Sequence, residues 1–193
     1  MTTGKIIFLN GVTSAGKTTI SKAIQELADV QFYHVSNDMF GGLLGEMLHP
    51  EKYVSEAGSE SKAGDKYMAE QIVLLYHFTK TLIEQGTNVV VDGMLIESVG
   101  FTEYYGKSNY DIMRHVLKDC DVFLVEIFCP LEECRRRNIA RGDRGENQSQ
   151  IQHDIMNKNI EYDFFVDTSI DDADECAKKI LGKLYQVKKE AGL

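Results

Sequence analysis

The run Gly11-Val12-Thr13-Ser14-Ala15-Gly16-Lys17-Thr18 has the residue types and spacing of a phosphate-binding loop, with Lys-Thr closing a glycine-framed turn. Such a loop, running on into Thr19, aims backbone N–H groups and the positive end of a helix dipole at anionic oxygens. Lys17 is expected to reach the β- and γ-phosphates of a nucleoside triphosphate, and the Thr18 hydroxyl to face Mg²⁺. Two carboxylates could complete a reaction. Asp38, in His34-Val35-Ser36-Asn37-Asp38, could orient an attacking hydroxyl and accept its proton. It could equally cap the helix that follows. Asp92 closes the β-branched run Asn88-Val89-Val90-Val91-Asp92 and could hold Mg²⁺ directly or through water, although many buried strands end in Asp for turn reasons alone.

Arginine is distributed unevenly. None precedes Arg114, yet Arg135, Arg136, Arg137, Arg141 and Arg144 crowd into one short stretch. Arg137 and Arg141 share a helical face. On a segment that closes over ATP, such groups would neutralise charge on the transferring phosphoryl and exclude water. Salt bridges at Glu132–Arg136 and Glu133–Arg137, both with favourable spacing, are the plainer reading and suffice for Arg135 and Arg136. Arg141 and Arg144 are read as lid residues.

The elements that must position these groups alternate between strand and helix, the pattern of a parallel sheet covered on both faces. Strands are predicted near 5–10, 31–36, 88–92, 121–128 and 163–167. A helix over about 65–85 presents Met68, Ile72, Leu75, Thr79 and Leu82 on one stripe and stops at Gly86. Another runs from Pro130 to Gly142, with Glu132 and Glu133 in its first turn. The last, about 172–189, turns Cys176, Ile180, Leu184 and Val187 inward. The polar stretch 49–64 reads as a surface loop or flap.

At 193 residues the chain is expected to form one domain, with an acceptor region at about 38–107 and a lid at about 135–149. A net charge of −9 argues against a nucleic-acid-binding surface. No run approaches the ~18 apolar residues of a membrane span, and the amino terminus leads straight into a strand. Cys120, Cys129, Cys134 and Cys176 form no CxxC pair, which suggests reduced thiols and a cytoplasmic protein. A guanine-recognition motif is absent, because Asn157-Lys158-Asn159 is followed by Ile160. The acceptor region carries no arginine between Asn37 and Lys107, but many apolar residues: Met39, Phe40, Leu43, Leu44, Met47, Leu48, Met94, Leu95, Ile96 and Phe101. Enzymes that grip a phosphorylated or carboxylated acceptor usually do so with arginine. A neutral small-molecule alcohol is therefore the expected substrate.

Leu9-Asn10-Gly11 with Ser14–Lys17, Asp38, Cys129 through Ala140-Arg141-Gly142-Asp143-Arg144, Glu161-Tyr162-Asp163 and Val166-Asp167-Thr168 together resemble the chloramphenicol phosphotransferase family over nearly the whole chain. That resemblance implies an α/β P-loop kinase fold with a five-stranded parallel sheet in the order 2-3-1-4-5. It also implies ATP-dependent O-phosphorylation of the antibiotic, and hence its inactivation. Asp38 falls on the family's catalytic base, Arg141 and Arg144 on its lid arginines, and Arg137 on a further counterpart. Thr168-Ser169 would lie near the adenine. A member of that family has a second aspartate after the one matched by Asp92, where this chain has Gly93, and the segment from Met39 to Tyr67, which should set substrate choice, matches only loosely. A kinase of another metabolite, or a toxin-type kinase of a nucleotide sugar, is the alternative.

Overall fold

The Lys5–Asn10 strand (β1) is buried on both sides after its first residue, as a strand covered on both faces must be. It is flanked in parallel by β3 (Asn88–Gly93) and β4 (Asp121–Phe128). β2 (Phe32–Ser36) and β5 (Phe164–Asp167) complete a five-stranded parallel sheet in the order β2-β3-β1-β4-β5. The computed structural model describes residues 4–41, 62–142 and 145–191, with the side chains at 41, 62–65 and 187–191 left out of the description.

Alternation along β1 divides the core. Ile7 and Leu9 face one side, where α1 (Lys17–Leu27) packs on α8 (Ala173–Ala191) through Ile20, Ile24, Cys176 and Ile180. Ile6 and Phe8 face the other, beneath α3 (Lys62–Glu84), α4 (Val99–Tyr105) and α5 (Asn109–Val116). On α3 the predicted stripe is inward at Ile72, Leu75 and Thr79, while Met68 and Leu82 pack at its margin. Gly86 closes that helix at φ 81°. On α8, Cys176, Ile180 and Leu184 are buried as expected, and the Val187 side chain lies outside the description.

Two departures concern organisation. The predicted 49–64 flap lies outside the described residues up to 61, and by Lys62 the backbone is already helical. The helices α4, α5 and α7 (Gln148–Asp154) were not anticipated, since seven or eight residues give too little periodicity to register. Their punctuation is nonetheless present. Gly106 ends α4 in the left-handed region, and the Ser108 hydroxyl accepts from Asp111 N to start α5. Among the described residues no helix is long and apolar enough to cross a membrane.

The carboxyl ends of all five strands share one edge, where open parallel sheets bind ligands. Gly93 lies on that edge. A Cβ there would stand 2.5 Å from two ring atoms of Phe8, which is fully buried. A side chain at this position would collide with that ring. Gly93→Ala should therefore lower stability by about 1–3 kcal/mol through overpacking, read as a drop in thermal midpoint. An unchanged midpoint would show that the Phe8 ring can yield.

Candidate active site

The loop after β1 is shaped by what it cannot accommodate. A Cβ on Gly11 would come within 2.6 Å of the Ile127 carbonyl oxygen, so the backbone passes β4 at a distance only glycine allows. Ser14 at φ 59° and Gly16 at φ 101° then turn the chain into α1. Gly16 caps that helix with no side-chain hydrogen bond, which leaves the first-turn N–H groups to a ligand. Lys17 arches back over the loop, its Nζ donating to the carbonyls of Gly11 (2.8 Å) and Val12 (2.9 Å), 3.8 Å from Asp92.

Thr18 Oγ1 donates to Asp92 Oδ2 at 2.6 Å. Parallel register places Asp92 between Leu9 and Ser36, nearly buried, so the sheet fixes this carboxylate beside the loop. His34 Nε2 stands 4.0 Å from the same oxygen and is buried with no hydrogen-bond partner. Burial pushes the His34 imidazole below its usual 6.5; Asp92 opposes that shift and Lys22 adds to it. Among the described residues no cluster of three or more His, Cys, Asp or Glu could hold a metal. One carboxylate beside a hydroxyl nevertheless suits Mg²⁺, which keeps several waters and leans on substrate phosphates.

Asp38 sits in the first turn of α2 (Asn37–Gly41), exposed at the cavity mouth. The Ser36 hydroxyl, not Asp38, accepts from Met39 N (3.4 Å) and starts that helix. Asp38, Asp92, Lys17, Arg137 and Arg141 line a cavity of about 570 Å³ together with the loop. A smaller cavity of about 260 Å³ adjoins it at Asn37, Asp38 and Met94, and extends to Met68, Gln71 and Ile72 of α3. Leu95, Ile96 and Phe101 are core residues instead, and Leu43 to Leu48 lie outside the described residues.

The arginine helix α6 (Leu131–Arg141) starts at Pro130 and ends on left-handed Gly142, as anticipated. Its pairings differ in part. Arg136 makes two bonds to Glu133, at 2.7 Å each, not to Glu132, and Arg135 pairs with Glu146. Arg137 does bond Glu133 (2.8 Å), and its other nitrogens reach Thr168 O (2.7 Å), Thr168 Oγ1 (3.1 Å) and Ser14 O (3.4 Å). These bonds, from Arg136 above all, hold the Glu133 carboxyl down to about 2. Thr168 Oγ1 in turn donates to Ala15 O at 2.8 Å, so the end of β5 clamps the loop. Arg141 lines the cavity in the last turn of α6; Arg144 lies outside the described residues.

Amides that sequence reasoning passed over hold the loop from below and behind. Asn10 Oδ1 accepts from Leu95 N (2.7 Å), and its Nδ2 donates to the Tyr162 hydroxyl (2.6 Å). Ser14 Oγ donates to Asn138 Oδ1 (2.6 Å), and Asn138 Nδ2 to Ser149 Oγ (3.0 Å). Thr13 N donates to Gln152 Oε1 at 2.6 Å. The Glu-Tyr-Asp segment now has a physical role, since Tyr162 holds Asn10 and Asp163 accepts from Leu124 N. All four cysteines are free thiols.

The model of the chloramphenicol phosphotransferase-like protein family matches residues 4–185, from the start of β1 into α8. The chain belongs to this family. A provisionally named O-phosphotransferase of Mycobacterium tuberculosis is 28% identical, over 93% of this chain and 82% of its own length. Among solved structures, the APS kinase of M. tuberculosis in complex with AMPPNP and APS superposes with a TM-score of 0.67 at 19% identity (96% of this chain, 99% of that one). Shikimate kinase from Acinetobacter baumannii, in complex with shikimate, gives 0.63 at 18% identity (97% and 96%). At that identity the likeness shows the fold alone, the α/β P-loop kinase fold with its five-stranded parallel sheet in the order 2-3-1-4-5.

His34 gives the site a pH signature. Its folded pKa is depressed, so the unfolded chain binds the proton more readily. Stability is then complete above about pH 6.5 and falls as pH drops toward the lower folded value. Thermal melts on either side of that pH should show a smaller acid-side loss for His34→Gln than for the wild type. Parallel curves would mean that His34 is not held neutral beside Asp92.

Proposed function

We propose that the protein transfers the γ-phosphoryl group of ATP to a hydroxyl of a small neutral molecule, with chloramphenicol or a related antibiotic the first candidate and antibiotic inactivation the consequence. One observation carries the acceptor class: the cavity reached through Asp38 is walled by Met68, Ile72 and Met94, with the neutral amides of Asn37 and Gln71, and no lysine or arginine lines it among the described residues. Burying a phosphate or carboxylate against such walls would cost several kcal/mol in lost solvation. An alcohol needs only the apolar wall, an amide and a proton acceptor.

In this reading the loop N–H groups and Lys17 hold the β- and γ-phosphates, and Asp38 takes the proton of the acceptor hydroxyl as its oxygen attacks phosphorus. Arg141, with Arg144 on the same lid, meets the charge spread over the transferring oxygens. Arg137 steadies the loop through Ser14 and Thr168. Thr18 and Asp92 would hold Mg²⁺, which when bound neutralises β- and γ-phosphate charge.

Asp38→Asn should reduce turnover by roughly 10²–10⁴ while ATP affinity stays within a few fold, because the amide keeps the size and loses the proton acceptor. Arg141→Ala should depress turnover far more than Arg135→Ala, whose guanidinium is engaged by Glu146. A collapse of ATP binding in the Asp38 variant would move that residue to the metal site. The substrate class is tested by ATP consumption with chloramphenicol, other neutral alcohols and each nucleoside monophosphate in parallel. Turnover confined to neutral alcohols is expected, and efficient turnover of any monophosphate would overturn the charge argument.

A further inference from the structure

Gln152 is nearly buried on α7, yet it lines the nucleotide cavity. Its orientation is fixed by chemistry. The Thr13 N–H can only donate, so the atom 2.6 Å from it must be the carbonyl oxygen Oε1. The amide nitrogen Nε2, with two N–H donors, then points away from the loop backbone. Among the described residues nothing accepts from it, and it is not among the buried atoms lacking a partner, so it keeps some accessible surface on a residue that lines the cavity. The frame is rigid. Asn138 ties Ser149 of the same helix to Ser14 of the loop, while Ile155 O and Asn157 N pin the far end of α7 to Glu97 N and Leu95 O. A side chain held this way is a preorganised donor, which costs nothing to orient when a ligand arrives.

Thr13 opens the loop beside the Gly11 and Val12 carbonyls that hold the Lys17 ammonium, and Lys17 lies 3.8 Å from Asp92. Gln152 thus lines the same cavity as Lys17, Asp92, Asp38 and Arg141, and is tied to the loop one residue from the Val12 carbonyl that holds Lys17. We infer that Gln152 is a further catalytic residue, donating from Nε2 to a γ-phosphate oxygen while its Oε1 keeps the loop in shape. This rests on the cavity being the ATP site. A neutral donor adds a directed hydrogen bond to the charges already supplied by lysine and arginine, and leaves the acceptor side uncharged.

Gln152→Glu separates the two jobs of the side chain, because a carboxylate still accepts from Thr13 N–H but offers the γ-phosphate a negative oxygen. Calorimetric titration of the whole protein with Mg²⁺ and either AMPPNP or ADP reads the difference. AMPPNP affinity should fall by about 10-fold or more, ADP affinity by no more than a few fold, with the thermal midpoint preserved. Equal changes for the two nucleotides, or none, would overturn the inference and leave Gln152 a loop anchor only. If the glutamate variant fails to fold, Gln152→Ala supplies the same ratio, and AMPPNP must again be the nucleotide that loses more. A wild type that binds neither nucleotide would overturn the ATP reading, and this inference with it.

Discussion

The tight passage of Gly11 across the end of β4 is the constraint on which the site depends. With the Ile127 carbonyl 2.6 Å from where a Cβ would stand, the chain leaves β1 along one narrow path. It then needs left-handed turns at Ser14 and Gly16 to enter α1. A loop bent this sharply shows its carbonyls on one side and its amides on the other. The carbonyls are answered from within: Lys17 takes those of Gly11 and Val12, Arg137 takes Ser14, and Thr168 takes Ala15. The amides at the helix start are left for an anion, which is how the fold turns backbone geometry into phosphate affinity.

Electrostatics follow from the same edge of the sheet. The chain carries nine net negative charges, yet it places four of its six arginines on α6, and Arg137 of that helix bonds the loop at Ser14. Glu133 does not simply cancel them. By binding both Arg136 and Arg137 it sets their forks, and Arg137 is thereby aimed at Thr168 and Ser14. Arg136, Arg137 and Arg141 thus line the larger cavity with Lys17, while Met68, Ile72 and Met94 line the smaller one that adjoins it at Asp38. In the proposed reading that polarity would distinguish the two ends of the transfer, with cations beside the nucleotide and, among the described residues, no lysine or arginine lining the acceptor side.

The central strands β1 and β3 were legible as short apolar runs ended by turn residues. Predicted and observed strand limits differ by a residue or so, as for 31–36 against Phe32–Ser36. Gly86 and Gly142 marked helix ends for a reason the structure repeats, a positive φ that other residues avoid. The loop, Asp38 and Asp92 were singled out because the chemistry expected of them needs particular residue types at particular strand ends, and the structure brings them to one cavity. The amide network was not. Asn10, Asn138 and Gln152 act through partners up to 152 residues distant, and an Asn or Gln carries no local signature of what it will meet. The Arg136 pairing failed for a related reason. Glu132 and Glu133 both lie within one turn of it, and Glu133, already drawn toward Arg137, captures both forks.

Phosphorus NMR of the wild-type protein with ATP, Mg²⁺ and chloramphenicol tests the central claim most directly, because it follows the transferred group itself. If Asp38 aligns the acceptor oxygen and the lid excludes water, as proposed, a phosphate monoester resonance on the alcohol grows in step with ADP, with little free phosphate. ADP accompanied only by inorganic phosphate, with chloramphenicol and with every other neutral alcohol tried, would contradict it.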